Sequence, residues 1–176
     1  MLPLFSQSLS LLLHDLCRCT LGSAAGRHAS AVLASVMIIA TPLTIEFEGL
    51  RQKAYLDAVG IPTICYGETE NVRLGDVRSK AECDTMLATK LGFHAAQLDW
   101  AVQQDMPPEM HAALASWSYN VGIGAMKKST LVRLAHGGQF VAACNELPRW
   151  IYAKGKRLNG LVIRREKERQ LCLSAL

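Results

Sequence analysis

Apolar and polar positions divide the chain into an uncharged N-terminal stretch and a punctuated remainder. From Ala29 to Ile45, 17 residues pass without a charge. As a helix this run is about 25 Å long, short of the roughly 30 Å hydrocarbon core of a bilayer. Ala, Ser and Thr dilute it, so insertion into a membrane would be marginal. Arg18 and Arg27 precede it and Glu46 and Glu48 follow, which predicts the N-terminus inside and the remainder outside. Three readings fit: a cleaved signal peptide, a buried core helix, or a weak anchor that is retained and then released. The first lacks a small-x-small cleavage site after the apolar run, and Pro42 interferes near Ala40. Met1 to Leu13 is also largely apolar and uncharged, and no element is assigned to it.

Beyond residue 45 the periodicity changes several times. Glu48 is expected at the end of a short helix, because Gly49 follows it. Short apolar runs broken by Gly60, Pro62, Gly67 and Asn71 predict a small β-hairpin region between Tyr55 and Gly75. Ser79-Lys80-Ala81-Glu82 reads as a capping box opening a helix to about Gln104, with Gly92 as a point of interruption. Pro107-Pro108-Glu109 starts a second helix that ends near Asn120. Val121 to Gly124 reads as a turn, and Ser129 caps a short helix stopping at Gly137-Gly138. Further helices are predicted from about Gln139 to Glu146 and from about Gly160 to Leu173. The result is a mainly α, α+β architecture with one small sheet.

The 131 residues from 46 to 176 suffice for one compact domain. Half of the chain is apolar and only 6% is aromatic, which suits a helical enzyme better than a β-sandwich. Residues 46–176 hold 17 basic and 14 acidic side chains, a mild excess that can attract an anionic polymer such as a bacterial wall. The signs are interleaved and no aromatic–basic array accompanies them, so nucleic acid is not an expected partner. No Cys-x-x-Cys pair occurs and the histidines are scattered, so no metal site is expected. Cys65, Cys83, Cys144 and Cys172 read as two disulfides if the chain leaves the cytosol, or as four buried thiols if it does not. Of the three connectivities, Cys65–Cys83 and Cys144–Cys172 are preferred. The first would tie the hairpin to the capped helix, and the second would staple the last two helices.

The chemistry concentrates in Glu48-Gly49-Leu50-Arg51, Tyr55-Leu56-Asp57 and Thr63-Ile64-Cys65-Tyr66-Gly67. Two carboxylates held around a glycosidic bond are the minimal equipment for hydrolysing a sugar polymer. These runs resemble the active-site signature of the bacteriophage-type lysozymes, the endolysins that cut peptidoglycan. Trp117-Ser-Tyr-Asn-Val-Gly-Ile-Gly, Ser129-Thr-Leu and Asn159-Gly-Leu-Val-Ile-Arg-Arg-Glu extend the resemblance over about residues 46–173. It implies a two-lobed fold: a small β-hairpin lobe, a long connecting helix, a helical C-terminal lobe and a cleft between the lobes. It also implies a division into residues 1–45, a signal-arrest-release segment of the kind such endolysins often carry, and a muramidase domain at 46–176. Export would then proceed through the host inner membrane to the periplasm.

In that frame Glu48 is the expected general acid, Asp57 an ionised carboxylate that positions or activates water, and Thr63 the hydroxyl that holds this water. The plainer alternatives are a solvated helix-end Glu48, an Asx-turn Asp57 and an ordinary strand threonine at 63. Asn120 and Thr130 are candidate glycan contacts, although Asn120 also suits a helix C-cap. Arg164 or Arg165 is expected to pair with Glu48, or else to belong to a charged helix surface. Many members of the resembled family carry histidine where this chain has Glu68, an extra carboxylate with no catalytic role assigned. The expected activity is inverting hydrolysis of the bond from N-acetylmuramic acid to N-acetylglucosamine by a monomer that uses no cofactor. A lytic transglycosylase needs only the acid, which the presence of Asp57 and Thr63 disfavours. A silent wall-binding protein is disfavoured by the intact triad.

Overall fold

The computed structural model describes residues 24–57 and 59–176. The chain divides into two compact units, 1–32 and 33–176, and only the opening of a helix is described in the first. Met1 to Leu13 and Arg18 lie outside the described residues.

Helix α1 (Ala24–Glu48) carries the apolar stretch and Glu48 on one continuous element, longer than the short helix expected. Val36, Ala40 and Thr44 recur at four-residue spacing and are fully buried, whereas Ile38 is 75% exposed. Thr44 Oγ1 returns a hydrogen bond to the Ala40 carbonyl at 2.8 Å. Gly49, at φ +70°, ends the helix, and its N–H donates to the Ile45 carbonyl. Among the described residues no helix is long and apolar enough to cross a membrane.

Strands β1 (Arg51–Leu56) and β2 (Pro62–Cys65) pair antiparallel, with Tyr55 opposite Thr63 and an irregularity between Arg51 and Tyr55. The hairpin therefore starts four residues earlier than its turn residues suggest. Helix α2 (Lys80–Val102) follows, and both bonds of the Ser79–Glu82 capping box are present. Gly92 does not interrupt it. Cys83 and Leu87 on this helix join Ala54, Ile64, Cys65 and Tyr66 in one small core. Further along the same helix, Leu91, Ala95, Leu98 and Val102 enter a larger core with Met110, Leu114 and Trp117. One helix thus spans two separate apolar clusters, the physical basis of a two-lobed α+β fold that is mainly α.

The larger lobe is built by α3 (Pro108–Val121), α4 (Ile123–Lys127), α5 (Thr130–His136) and α6 (Phe140–Asn145), then a 3-10 turn at Leu147–Arg149. The expected turn at Val121–Gly124 is confined to Gly122, at φ +84°, because α4 begins immediately after it. A second hairpin, β3 (Tyr152–Ala153) with β4 (Lys156–Arg157), precedes α7 (Asn159–Leu173). Val36 and Ala40 of α1 belong to the larger core. Disulfides Cys65–Cys83 and Cys144–Cys172 join the elements the sequence paired, with Cα separations of 5.0 and 5.7 Å.

Candidate active site

Glu48 ends α1 with its side chain 18% exposed, and Oε1 accepts from Arg164 Nη1 at 2.5 Å. The other oxygen, Oε2, lies 3.9 Å from the point where a Cβ on Gly67 would sit. Gly67 has φ +90°, so the turn after β2 favours glycine there, and no described hydrogen bond occupies Oε2. Tyr119 of α3 donates from its hydroxyl to the carbonyl of the neighbouring Tyr66 at 2.9 Å. Burial, and then the charges of Glu48 and Glu68, push the Tyr119 phenol far above its ordinary value, so it stays protonated.

Arg164 is itself held on several sides. Its Nε donates to Glu168 Oε1 at 3.0 Å and its Nη2 to the Ser116 carbonyl at 3.1 Å. Its guanidinium carbon lies 5.4 Å from the Phe47 ring centre. The adjacent Arg165 donates to Glu168 Oε2 and to Asn120 Oδ1. Arg164 is thus the partner of Glu48, and Arg165 reaches the same network one step removed.

Asp57 follows β1 and sits at the mouth of the first hairpin. Its Oδ1 accepts from the N–H groups of Val59 and Ile61 at 2.9 Å each, so the Asx-turn geometry is present. The Ile61 and Val59 donors hold its carboxyl below the ordinary value against slight desolvation, and Lys154 in the β3–β4 turn acts in the same direction. Asp57 is therefore ionised at neutral pH, and no hydrogen bond occupies its Oδ2 among the described residues. Buried Thr63 donates from Oγ1 to the Ile61 carbonyl at 3.0 Å, and Asp57 N–H donates to that same carbonyl. Ile61 is the shared tether of the carboxylate and the hydroxyl.

The structure thus gathers the candidate residues in two groups, Glu48 with Asn120 through the arginines and Asp57 with Thr63 through Ile61. Thr130 is exposed at the start of α5, beside the Ser129 cap, and no described contact links it to either group.

A family model for phage lysozyme matches residues 45–168. This chain belongs to the phage lysozyme family. The SAR-endolysin of Enterobacteria phage P21 is 40% identical over 157 residues, 89% of this chain and 94% of that protein. Among solved structures, the active form of P1 phage endolysin Lyz aligns with a TM-score of 0.71 at 27% identity, over 82% of this chain and 93% of that one. The muramidase domain of SpmX from Asticaccaulis excentricus aligns with a TM-score of 0.71 at 28% identity, over 77% of this chain and 95% of that one.

Glu68 makes a structural contact. Its carboxylate accepts from Lys90 Nζ at 3.1 Å and from the N–H groups of Thr69 and Glu70 at 2.8 Å each. Burial pushes Glu68 up, but these donors outweigh it and hold the group below its ordinary value. Glu168, Ser116, Tyr119 and Lys154 escaped the sequence reading. The available signal for Glu168 was its position three and four residues after Arg165 and Arg164 on one helix.

Proposed function

We propose that this protein hydrolyses the β-1,4 bond between N-acetylmuramic acid and N-acetylglucosamine in peptidoglycan, lysing the host cell. Glu48 is the general acid. Arg164 occupies Oε1, so the transferable proton resides on Oε2, the oxygen beside Gly67. Asp57 presents an ionised carboxylate to the attacking water, and Thr63 offers that water the lone pairs its own donated bond leaves available. Asn120 and Thr130 are the proposed glycan contacts. The observation that carries this reading is the largely buried Glu48 side chain, fixed on one oxygen by a buried arginine and with no described hydrogen bond on the other.

Residues 1–45 are proposed as the anchor segment and 46–176 as the muramidase domain, acting as a monomer in the periplasm after release from the inner membrane. Two observations support release: the small-residue face Val36–Ala40–Thr44 packs into protein, and the relative from phage P21 bears the name SAR-endolysin. A turbidity assay on permeabilised Gram-negative cells, with mass spectrometry of the muropeptide ends, tests the proposal. Reducing ends are expected. Anhydro ends would indicate a transglycosylase, and intact glycan would indicate a wall binder.

A further inference from the structure

A buried carboxylate outside the acid–water arrangement is shared by two neighbouring guanidinium groups. Glu168 is fully buried and accepts from Arg164 Nε, Ser116 Oγ and Arg165 Nη1. Such a group is costly to bury, and its retention is by itself weak support for a stability role. Its geometry has a more specific consequence. The plane of the Arg164 guanidinium is set by Glu168 at Nε and the Ser116 carbonyl at Nη2, and that plane directs Nη1 at Glu48. Arg165 is pulled by burial to about 10 and remains a cation at neutral pH.

We propose that Glu168 is a positioning residue of the reaction, which sorts the two adjacent arginines so that Arg164 serves Glu48 and Arg165 serves Asn120. The proposal rests on the assignment of Glu48 as the acid. In Glu168→Gln, Arg164 Nε keeps a neutral acceptor in place of a charged one, so the plane that reaches Glu48 is held less firmly. Arg165 also loses its counter-charge and acts on Glu48 as an uncompensated second cation. An extra cation favours the ionised form of Glu48, which has no proton to give. The other charged or titratable groups around Glu48 stay unchanged: Tyr119 from α3, Glu68 with its Lys90 partner, and the Lys167–Glu46 pair.

The test compares wild type, Glu168→Gln and Glu168→Asp by kcat and KM against pH on purified sacculi, and by ¹³C NMR titration of the Glu48 carboxyl. For Glu168→Gln we expect kcat to fall about 10- to 100-fold with KM nearly unchanged. The added cation should move the alkaline limb and the Glu48 titration of this variant to lower pH relative to wild type. Glu168→Asp keeps the charge and should return both toward wild type. A natively folded Glu168→Gln with kcat within twofold of wild type and an unmoved Glu48 titration overturns the proposal. If that variant does not fold, Ser116→Ala, which removes one donor to Glu168 and no charge, takes its place: a several-fold loss in kcat supports the proposal and an unchanged kcat overturns it. The NMR titration reads Glu168 acting on Glu48 even if wild type releases no reducing ends, an outcome that would defeat only the proposed function.

Discussion

Glu48 Oε1 and Arg164 Nη1 meet at 2.5 Å although 116 positions separate the two residues in sequence. The bond joins the C-terminal end of the N-terminal helix to the last helix of the chain. Arg164→Met would leave Glu48 and Glu168 each short of a cation in a largely buried setting. Breaking such a pair from one side costs about 3–5 kcal/mol, so a large drop in melting temperature is expected, together with loss of lysis. Thermal denaturation within a few degrees of wild type would contradict this.

Asp57→Asn keeps an acceptor oxygen for Val59 and Ile61 but removes the charge. The hairpin should therefore survive while the rate of muropeptide release falls by about 10²–10⁴-fold. Thr63→Ala should cost less, since its hydroxyl only orients the water. A fully active Asp57→Asn would point to an acid-only mechanism of the transglycosylase kind.

Acid stability should be set partly by His94. This imidazole is buried, bonds through Nδ1 to Ser118 Oγ at 2.8 Å, and is pulled to about 4 by burial and then by Lys90. Its ordinary value is 6.5, so between about 4 and 6.5 the unfolded chain binds more protons than the folded one. Stability therefore falls as pH drops through that window, by at most about 3 kcal/mol. The lowered carboxyls of Asp57 and Glu68 add their losses only below the ordinary carboxylate range. His94→Asn should flatten the melting temperature between pH 6.5 and pH 4.5. An unchanged slope would place the acid sensitivity elsewhere.

Membrane release should depend on how weakly the stretch from 29 to 45 is held in a bilayer. Replacing four small residues between 29 and 41 with leucine, off the Val36–Ala40–Thr44 face, should trap the protein in the membrane fraction and block lysis. Glu48 lies only three residues beyond the stretch, and even a 1 Å misplacement of a catalytic group can cost about 10²-fold. Lysis at the wild-type rate, or a native protein never found in membranes, would favour a cleaved signal or another exit route.

Local patterns made much of the fold legible. The Ser79–Glu82 capping box, the Ser129 cap and the proline start of α3 each specify backbone bonds within a few residues, and each is present. The two cysteine pairs were a preference among three connectivities, and both are present. The second hairpin was not legible, because two-residue strands carry no alternation and its turn uses Lys154 and Gly155, both at positive φ. Helix α7 misleads for a different reason. Three of its four buried residues are Arg164, Arg165 and Glu168, so its inner face reads as a charged surface until Glu48, Ser116 and Asn120 arrive from distant parts of the chain.

The assignment of Glu48 as the acid is tested most directly by the rate of reducing-end release from purified peptidoglycan by Glu48→Gln. The amide oxygen can still accept from Arg164 Nη1, so the fold and the helix junction should persist. Only the transferable proton is lost, and release should drop by about 10²–10⁴-fold or more with a native circular dichroism spectrum. A folded Glu48→Gln protein that keeps even half of the wild-type rate would show that the acid lies elsewhere.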